Sequence, residues 1–279
     1  MNYKLICIDM DGTLLNTQKE VSHRNRKALI NASEKGVKVV ISSGRAYNFA
    51  VPFVDYTEQE IPIITANGAL VKEKNSGKVL YKKILGAVNA SKVYQIFNKY
   101  DIPVSYFSDD RLLSEESHRM VQQYNLINKL LPEELRFKLM LHNSLEEWEE
   151  SFLKYNDDIL KCLVIHEDKD TLYRARREIE TTIDEIEVTS SGENVVEVNS
   201  KGVSKGRAVE LLAGIYNIKK EEIICIGDGE NDISMLEVAG MPIAMENAPD
   251  IVKEKARFIT DSNDKDGVAK AIERFVLGS

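Results

Sequence analysis

Two carboxylates one residue apart, Asp9 and Asp11, close the run Leu5-Ile-Cys-Ile-Asp-Met-Asp-Gly-Thr13. A short apolar run bounded by turn residues reads as a buried strand. In open parallel sheets, ligands sit just beyond the carboxyl ends of the strands. Side chains alternate along a strand, so Asp9 and Asp11 share a side if the extended geometry persists. Carboxylates crowded this closely repel unless a cation, a proton or solvent intervenes. A metal-assisted site is the natural chemistry. A calcium loop competes for Asp-x-Asp-Gly, and Glu20 does fall at its twelfth position. The other requirements fail: Thr13 stands where an acid or amide belongs, Leu14 where glycine belongs, and no helix leads in.

Three further segments carry the same kind of signal. Ser42-Ser43-Gly44-Arg45 follows the apolar run Val37–Ile41, and Lys205 opens a helix-like stretch in Gly202-Val-Ser-Lys-Gly206. Gly227-Asp-Gly-Glu-Asn-Asp232 follows Ile223-Ile-Cys-Ile226 and brings Asp228, Asn231 and Asp232. Amides around glycine and at helix starts suit anionic oxygens, and the Ser43 hydroxyl and Lys205 ammonium add donors. Several carboxylates around one point suit a hard, oxygen-loving cation, and the one that works with phosphate is usually magnesium. Each segment alone has a plainer reading: Ser43 caps a turn, Lys205 is a solvated lysine, and the 227–232 segment is an acidic surface loop. That loop lacks the lysine and spacing of a P-loop and does not fit a dinucleotide fingerprint. Four such segments in this order are hard to attribute to accident.

The elements that must position them alternate. Ser22 can cap a helix through Ala28, Leu29 and Ile30 that Gly36 ends. The strands Val37–Ile41 and Ile61–Thr65 follow at spacings that suggest parallel βαβ units. Asn75-Ser-Gly77 looks like a hairpin turn. From Leu85 to Val198, helix-like stretches (Val88–Tyr100, Thr171–Thr182) alternate with short strands: Val104–Phe107, Phe137–Leu141, Leu160–Ile165, Ile186–Thr189 and Val195–Val198. No catalytic motif shows among them. Glu146, Glu147, Glu149 and Glu150 read as a solvated helix face, and Trp148 as a packing anchor. The first pattern resumes with a helix over Val203–Tyr216, the strands Ile223–Ile226 and Met241–Met245, and a helix over Asp266–Val276. The simplest architecture is an α/β core built from both ends of the chain, 1–84 and 199–279, with a second domain, 85–198, inserted.

Bulk properties exclude several classes. Net charge is -8 and the sequence pI about 5.3, which argues against a general nucleic-acid binder. Cys7, Cys162 and Cys225 each lie in apolar runs without a Cys-x-x-Cys pair, so they are expected to pack as small hydrophobes in a reducing compartment. His23, His118, His142 and His166 are scattered without ligand spacing and read as surface or satisfied structural residues. A strand begins within a few residues of the amino terminus, leaving no room for a signal peptide, and no apolar segment is long enough to span a bilayer. The expectation is a cytoplasmic protein with no membrane partner. Oligomeric state cannot be read.

Taken together, these motifs resemble the haloacid dehalogenase (HAD) superfamily of phosphohydrolases, in particular its Cof-type branch. Asp9-Met-Asp-Gly-Thr-Leu-Leu15 is similar to its first motif, Ile41-Ser-Ser-Gly-Arg45 to its second, Lys205 in Val203-Ser-Lys-Gly206 to its third, and Gly227-Asp-Gly-Glu-Asn-Asp-Ile-Ser-Met235 to its fourth. Ala66-Asn-Gly68, Met245-Glu-Asn-Ala-Pro249 and Asn263-Asp-Lys-Asp-Gly-Val268 also match the branch. Position 43 departs slightly, with serine where the branch often has threonine. The resemblance implies a Rossmann-like parallel-sheet core with an inserted α/β cap domain for substrate selection. It further implies a magnesium-dependent phosphatase of small phosphorylated metabolites, sugar phosphates or phosphorylated cofactors, working through an aspartyl-phosphate. Asp9 would be the nucleophile and Asp11 the general acid and base. Met10 (by its amide), Ser43, Gly44, Lys205 and Asn231 would hold phosphate oxygens. Mg2+ would be held by Asp9, the Asp11 carbonyl and Asp228, with Asp232 in support. Arg45 and Asn67 stand open between substrate contact and a structural role. A phosphomutase and a non-catalytic phosphometabolite sensor are the alternatives. The sensor fits poorly with a complete set of nucleophile, acid/base, lysine and metal aspartates.

Overall fold

The computed structural model describes residues 3–54, 56, 60–119 and 121–278. The first elements are β1 (Leu5–Ile8), α1 (His23–Glu34), β2 (Lys38–Ile41), α2 (Tyr47–Ala50), β3 (Pro62–Thr65), β4 (Leu70–Glu73) and β5 (Val79–Lys82). Then come α3 (Ala87–Lys99), β6 (Ser105–Phe107), β7 (Arg111–Glu115), α4 (Val121–Leu130), β8 (Lys138–His142), α5 (Leu145–Lys154), β9 (Lys161–Ile165), α6 (Lys169–Thr182), β10 (Ile186–Thr189) and β11 (Val195–Ser200). The chain finishes with α7 (Lys205–Ile215), β12 (Ile223–Gly227), α8 (Ile233–Val238), β13 (Met241–Ala244), α9 (Asp250–Lys253), β14 (Phe258–Ile259) and α10 (Gly267–Ile272). The fold is α/β, a parallel-sheet core interrupted by an inserted α/β domain. Two compact units result: Met1–Arg45, Ala50–Leu80 and Ser204–Ser279 form one, Ala46–Phe49 and Tyr81–Val203 the other. Among the described residues no helix is long and apolar enough to cross a membrane.

The first unit is built on a sheet of order β14-β13-β12-β1-β2, every pair parallel. All four residues of β1 are buried, as expected of a parallel strand covered on both faces. Its register aligns Cys7 with Cys225 of β12 and with Val40 of β2. Both cysteines, like Cys162, are free and buried. Ser22 caps α1, accepting from the Asn25 amide, and Gly36 follows the helix at φ +82°, the left-handed conformation that suits glycine at a helix end. Ser204 caps α7 by accepting from the Arg207 amide. The Asn75–Gly77 turn joins β4 and β5, with the Glu73 amide donating to the Lys78 carbonyl at 2.9 Å.

The second unit has a mixed sheet of order β10-β11-β9-β6-β7-β8, in which only β7 and β8 run parallel among its described pairs. One apolar cluster gathers Tyr94, Phe97, Tyr106, Trp148 and Phe152. A second gathers Phe107, Leu112, Tyr124 and Phe137 around Ala46 and Phe49, with Phe49 and Phe137 rings 4.3 Å apart. That packing explains why a piece of the amino-terminal segment belongs to this unit. The ends of the insertion lie close, since the Lys83 ammonium donates to the Lys201 carbonyl at 2.7 Å. Strand β7 and helix α4 stand where no element was expected, while Trp148 is the packing anchor anticipated, fully buried. The four glutamates around it are exposed, and Glu147 also closes a capping box with Ser144. His118 and His142 are buried structural residues rather than surface ones, and His142 Nε2 meets Ser151 Oγ at 2.6 Å.

Candidate active site

The carboxyl ends of β1, β2 and β12 and the start of α7 converge within the first unit. β1 ends at Ile8 and the chain turns at once, with the Leu14 amide reaching the Asp9 carbonyl (3.2 Å) and the Leu15 amide the Met10 carbonyl (2.9 Å). The extended geometry does not persist, and the two carboxylates take different partners. Asp9 is 6% exposed and meets the Lys205 ammonium at 2.5 Å. Asp11 lies 41% exposed, clasped by Arg45 through Nε and a second guanidinium nitrogen, each at 2.7 Å, and touched by Lys19 at 3.0 Å.

Lys205 is fully buried at the first turn of α7. Its ammonium also meets Asp232 Oδ1 at 2.6 Å. The other oxygen of Asp232 accepts from the amides of Asp228 and Gly229, both at 2.9 Å. Asp232 thus ties the lysine to the loop that presents Asp228. Asp228 in turn accepts from the Thr13 hydroxyl at 2.7 Å and from the Asn247 amide group at 3.3 Å. The fit is tight: a Cβ on Gly12, at φ +82°, would lie 2.3 Å from Asp228 Oδ2. Gly227 admits Asp232 in the same way, its would-be Cβ 2.6 Å from that side chain.

Ser43 is buried at the end of β2 and accepts from the Arg45 amide at 3.1 Å, so it does close the turn that its plainer reading foresaw. The Ser43 carbonyl accepts from the Asn67 amide at 3.1 Å, with Asn67 in the left-handed region at φ +59°. The Asn67 side-chain oxygen accepts from Asn231 at 3.2 Å. Asn67 therefore has a structural part beside Asn231. Arg45 stacks at 5.1 Å over Phe53 as well as gripping Asp11.

The electrostatics separate the acids. Burial first, then the nearby Asp232 charge, pushes the Asp9 carboxyl well above its usual range against the pull of Lys205. Burial and Asp232 likewise raise Asp228 to about 6, against the Thr13 hydroxyl. Burial alone would weaken the Lys205 ammonium, but Asp232 and Asp9 more than reverse this and hold it charged. Asp11 goes the other way: burial would raise it, yet Arg45 and then Lys19 hold it down to about 2. In this arrangement Asp11 is ionised. Asp9, Asp228 and Asp232 each offer an oxygen within 4.8 Å of the others. Three acids that one ammonium does not neutralise, two of them holding protons too tightly, are what a divalent cation would relieve.

Thr13, Asn247 and Lys19 belong to this constellation although residue spacing did not single them out. Thr13 and Asn247 lay inside quoted motifs; Lys19 carried no signal at all.

Comparison with known proteins follows the same lines. A family model described as haloacid dehalogenase-like hydrolase matches residues 6–272. A 5-amino-6-(5-phospho-D-ribitylamino)uracil phosphatase of Bacillus subtilis is 34% identical over 288 residues, covering 99% of both chains. A pyridoxal phosphate phosphatase of Escherichia coli is 28% identical over 272 residues, covering 98% of both. The crystal structure of a haloacid dehalogenase-like hydrolase from Bacteroides thetaiotaomicron superposes with a TM-score of 0.80 at 32% identity, over 98% of this chain and 99% of that one.

Proposed function

Because this chain belongs to the haloacid dehalogenase-like hydrolase family and is a phosphatase, we propose that it hydrolyses small phosphate monoesters with magnesium bound, through a phosphoryl group carried on Asp9. The observation that supports this most is the pairing of a buried carboxylate with a buried ammonium, Asp9 and Lys205, beside two more acids. A carboxylate attacking a phosphate dianion meets charge repulsion, and the site's cations offset it.

Asp9 forms the new bond to phosphorus as the ester oxygen leaves, and Asp11 gives that oxygen a proton. Water then attacks the same phosphorus, Asp11 takes its proton, and the Asp9–phosphorus bond breaks to release phosphate. For the first step Asp11 must be protonated, whereas Arg45 holds it ionised. An arriving phosphate dianion changes both terms: it competes for the guanidinium and raises the acid's pKa by its own charge. Lys205, the Ser43 hydroxyl, the Asn231 amide group and the amides of Met10 and Gly44 hold the phosphate oxygens. Asp9, Asp228 and the Asp11 carbonyl would hold magnesium, with Asp232 bracing the loop. When bound, the ion supplies positive charge to the phosphate and to the acids around it. The second unit, which carries no part of this constellation, is assigned to choosing the leaving group.

The test is phosphate release from para-nitrophenyl phosphate by protein stripped of metal, with and without magnesium. A substrate panel follows, headed by 5-amino-6-(5-phospho-D-ribitylamino)uracil and pyridoxal phosphate. Asp9→Asn is expected to lose turnover by several orders of magnitude and to form no phosphoenzyme. Full activity in excess EDTA refutes the magnesium assignment; label on a residue other than Asp9 refutes the intermediate.

A further inference from the structure

Asn247 lies outside the acidic cluster, yet its side-chain amide joins two segments that meet at the acids assigned to the metal. It sits in the turn after β13, where the Met245 amide donates to the Gly227 carbonyl and the Ala248 amide to the Met245 carbonyl, each at 3.1 Å. Ala248 is buried, so the exposed Asn247 side chain starts from an anchored backbone. Its Nδ2 donates to the Gly12 carbonyl at 2.8 Å and to Asp228 Oδ2 at 3.3 Å. Its Oδ1 accepts from the Asn263 amide at 3.1 Å, and the Asn263 side chain donates in turn to the Leu15 carbonyl at 2.9 Å. These partners decide which end of the Asn247 amide is which, because a carbonyl and a carboxylate only accept while a backbone N–H only donates.

The choice of side chain follows from what the site needs. Asp228 Oδ1 accepts from the Thr13 hydroxyl at 2.7 Å. One such contact leaves a carboxylate able to pivot about it; a second donor, at Oδ2, removes that rotation. A lysine or arginine would fix the oxygen as well, but its charge would offset the negative charge that a cation needs. A neutral amide orients the carboxylate and leaves its charge intact. Serine has a single O–H to share between Gly12 and Asp228, and an ionised aspartate donates nothing. The Gly12 carbonyl belongs to the residue directly after Asp11, whose own carbonyl is assigned to the metal. The same amide therefore steadies both sources of ligands.

We propose that Asn247 is a positioning residue for the metal site, setting the rotation of the Asp228 carboxylate through its side-chain amide. This role rests on the magnesium assignment proposed above and extends it to the carboxyl-terminal segment.

Titration calorimetry of magnesium into the full-length protein, stripped of metal, tests it. Asn247→Ala is expected to weaken magnesium at least tenfold, within the range of roughly 10–100-fold typical of groups that orient metal ligands. Asn247→Leu keeps the shape of the side chain without its hydrogen bonds and is expected to lose as much. In EDTA both variants are expected to melt within about 4 °C of the unaltered protein. Asp264→Ala is the control: Asp264 grips the Thr17 amide and hydroxyl, at 2.8 and 2.6 Å, from the same carboxyl-terminal segment, and its loss is expected to leave magnesium affinity within twofold. Undiminished affinity in either Asn247 variant, or an equal loss in Asp264→Ala, overturns the inference while the magnesium assignment stands. No magnesium binding by the unaltered protein refutes that assignment and this inference with it.

Discussion

Replacing Lys205 by methionine isolates the charge balance of the site. The ammonium is fully buried between two carboxylates, at 2.5 Å from Asp9 and 2.6 Å from Asp232. Methionine is unbranched like lysine and one atom shorter, so it removes the ammonium and leaves the acids facing one another. Removing one partner of a buried ion pair costs roughly 3–5 kcal/mol. For a protein of this size each kcal/mol lowers Tm by roughly 2–4 °C, so the loss is roughly 6–20 °C in the metal-free protein. The acids can escape by taking up protons, and every acid that does so makes stability fall by about 1.4 kcal/mol per pH unit at higher pH. The penalty is therefore small near pH 4 and grows toward pH 8. A second substitution gives the sharper signature. Adding Asp232→Asn to Lys205→Met removes the surplus charge, so the double variant is expected to be more stable than Lys205→Met alone, a coupling of opposite sign to simple addition. Calorimetry in EDTA across a pH series measures all of this. A Tm loss independent of pH, or a double variant that merely sums the two single losses, refutes the electrostatic reasoning.

Arg45→Met frees Asp11 from its clasp, so its pKa rises from about 2 and the alkaline limb of the kcat/KM profile moves to higher pH; an unmoved limb means that Arg45 does not tune the acid. In metal-free protein, Asp228, raised to about 6, binds its proton more tightly folded than unfolded. Its contribution is thus favourable below the unfolded value and lost as pH rises from about 4 to about 6, by up to about 3 kcal/mol. Urea unfolding in EDTA is expected to show that slope, and Asp228→Asn or added magnesium to flatten it. Gly12→Ala, which sets a methyl against Asp228 at a left-handed φ, is expected to cost at least 1 kcal/mol and to weaken magnesium binding, read by titration calorimetry; an unaltered affinity would show the loop able to yield.

The core was legible because its chemistry sits at strand ends, and strand ends are written locally. Leu5–Ile8 and Ile223–Gly227 are uninterrupted apolar runs that stop at their acids. The partnerships were not legible. Thr13 reaches Asp228 across 215 positions, and no spacing rule connects them. That Asp9 and Asp11 part company follows from the turn that begins as β1 ends at Ile8, where the Leu14 and Leu15 amides close on the Asp9 and Met10 carbonyls and end the alternation on which their common side depended. In the insertion, Arg111–Glu115 hides its strand because its ends are charged and its two leucines are adjacent rather than alternating. The order of the six strands there is set by tertiary pairing, for which a single sequence carries no local mark.

The register of β1 has a consequence for the order of events on the ribosome. Its neighbours are β2, already made, and β12, which begins at Ile223. Until that strand emerges, the earliest-made strand of the sheet has one open edge, and the Asp9 carboxylate at its tip lacks its acidic partners Asp228 and Asp232. The whole insertion is synthesised in that interval, and its ends, held together by Lys83 and Lys201, shorten the loop that the sheet must close. A nascent chain is thus expected to carry Asp9 without activity for most of its synthesis, with the phosphate site completed only near the end.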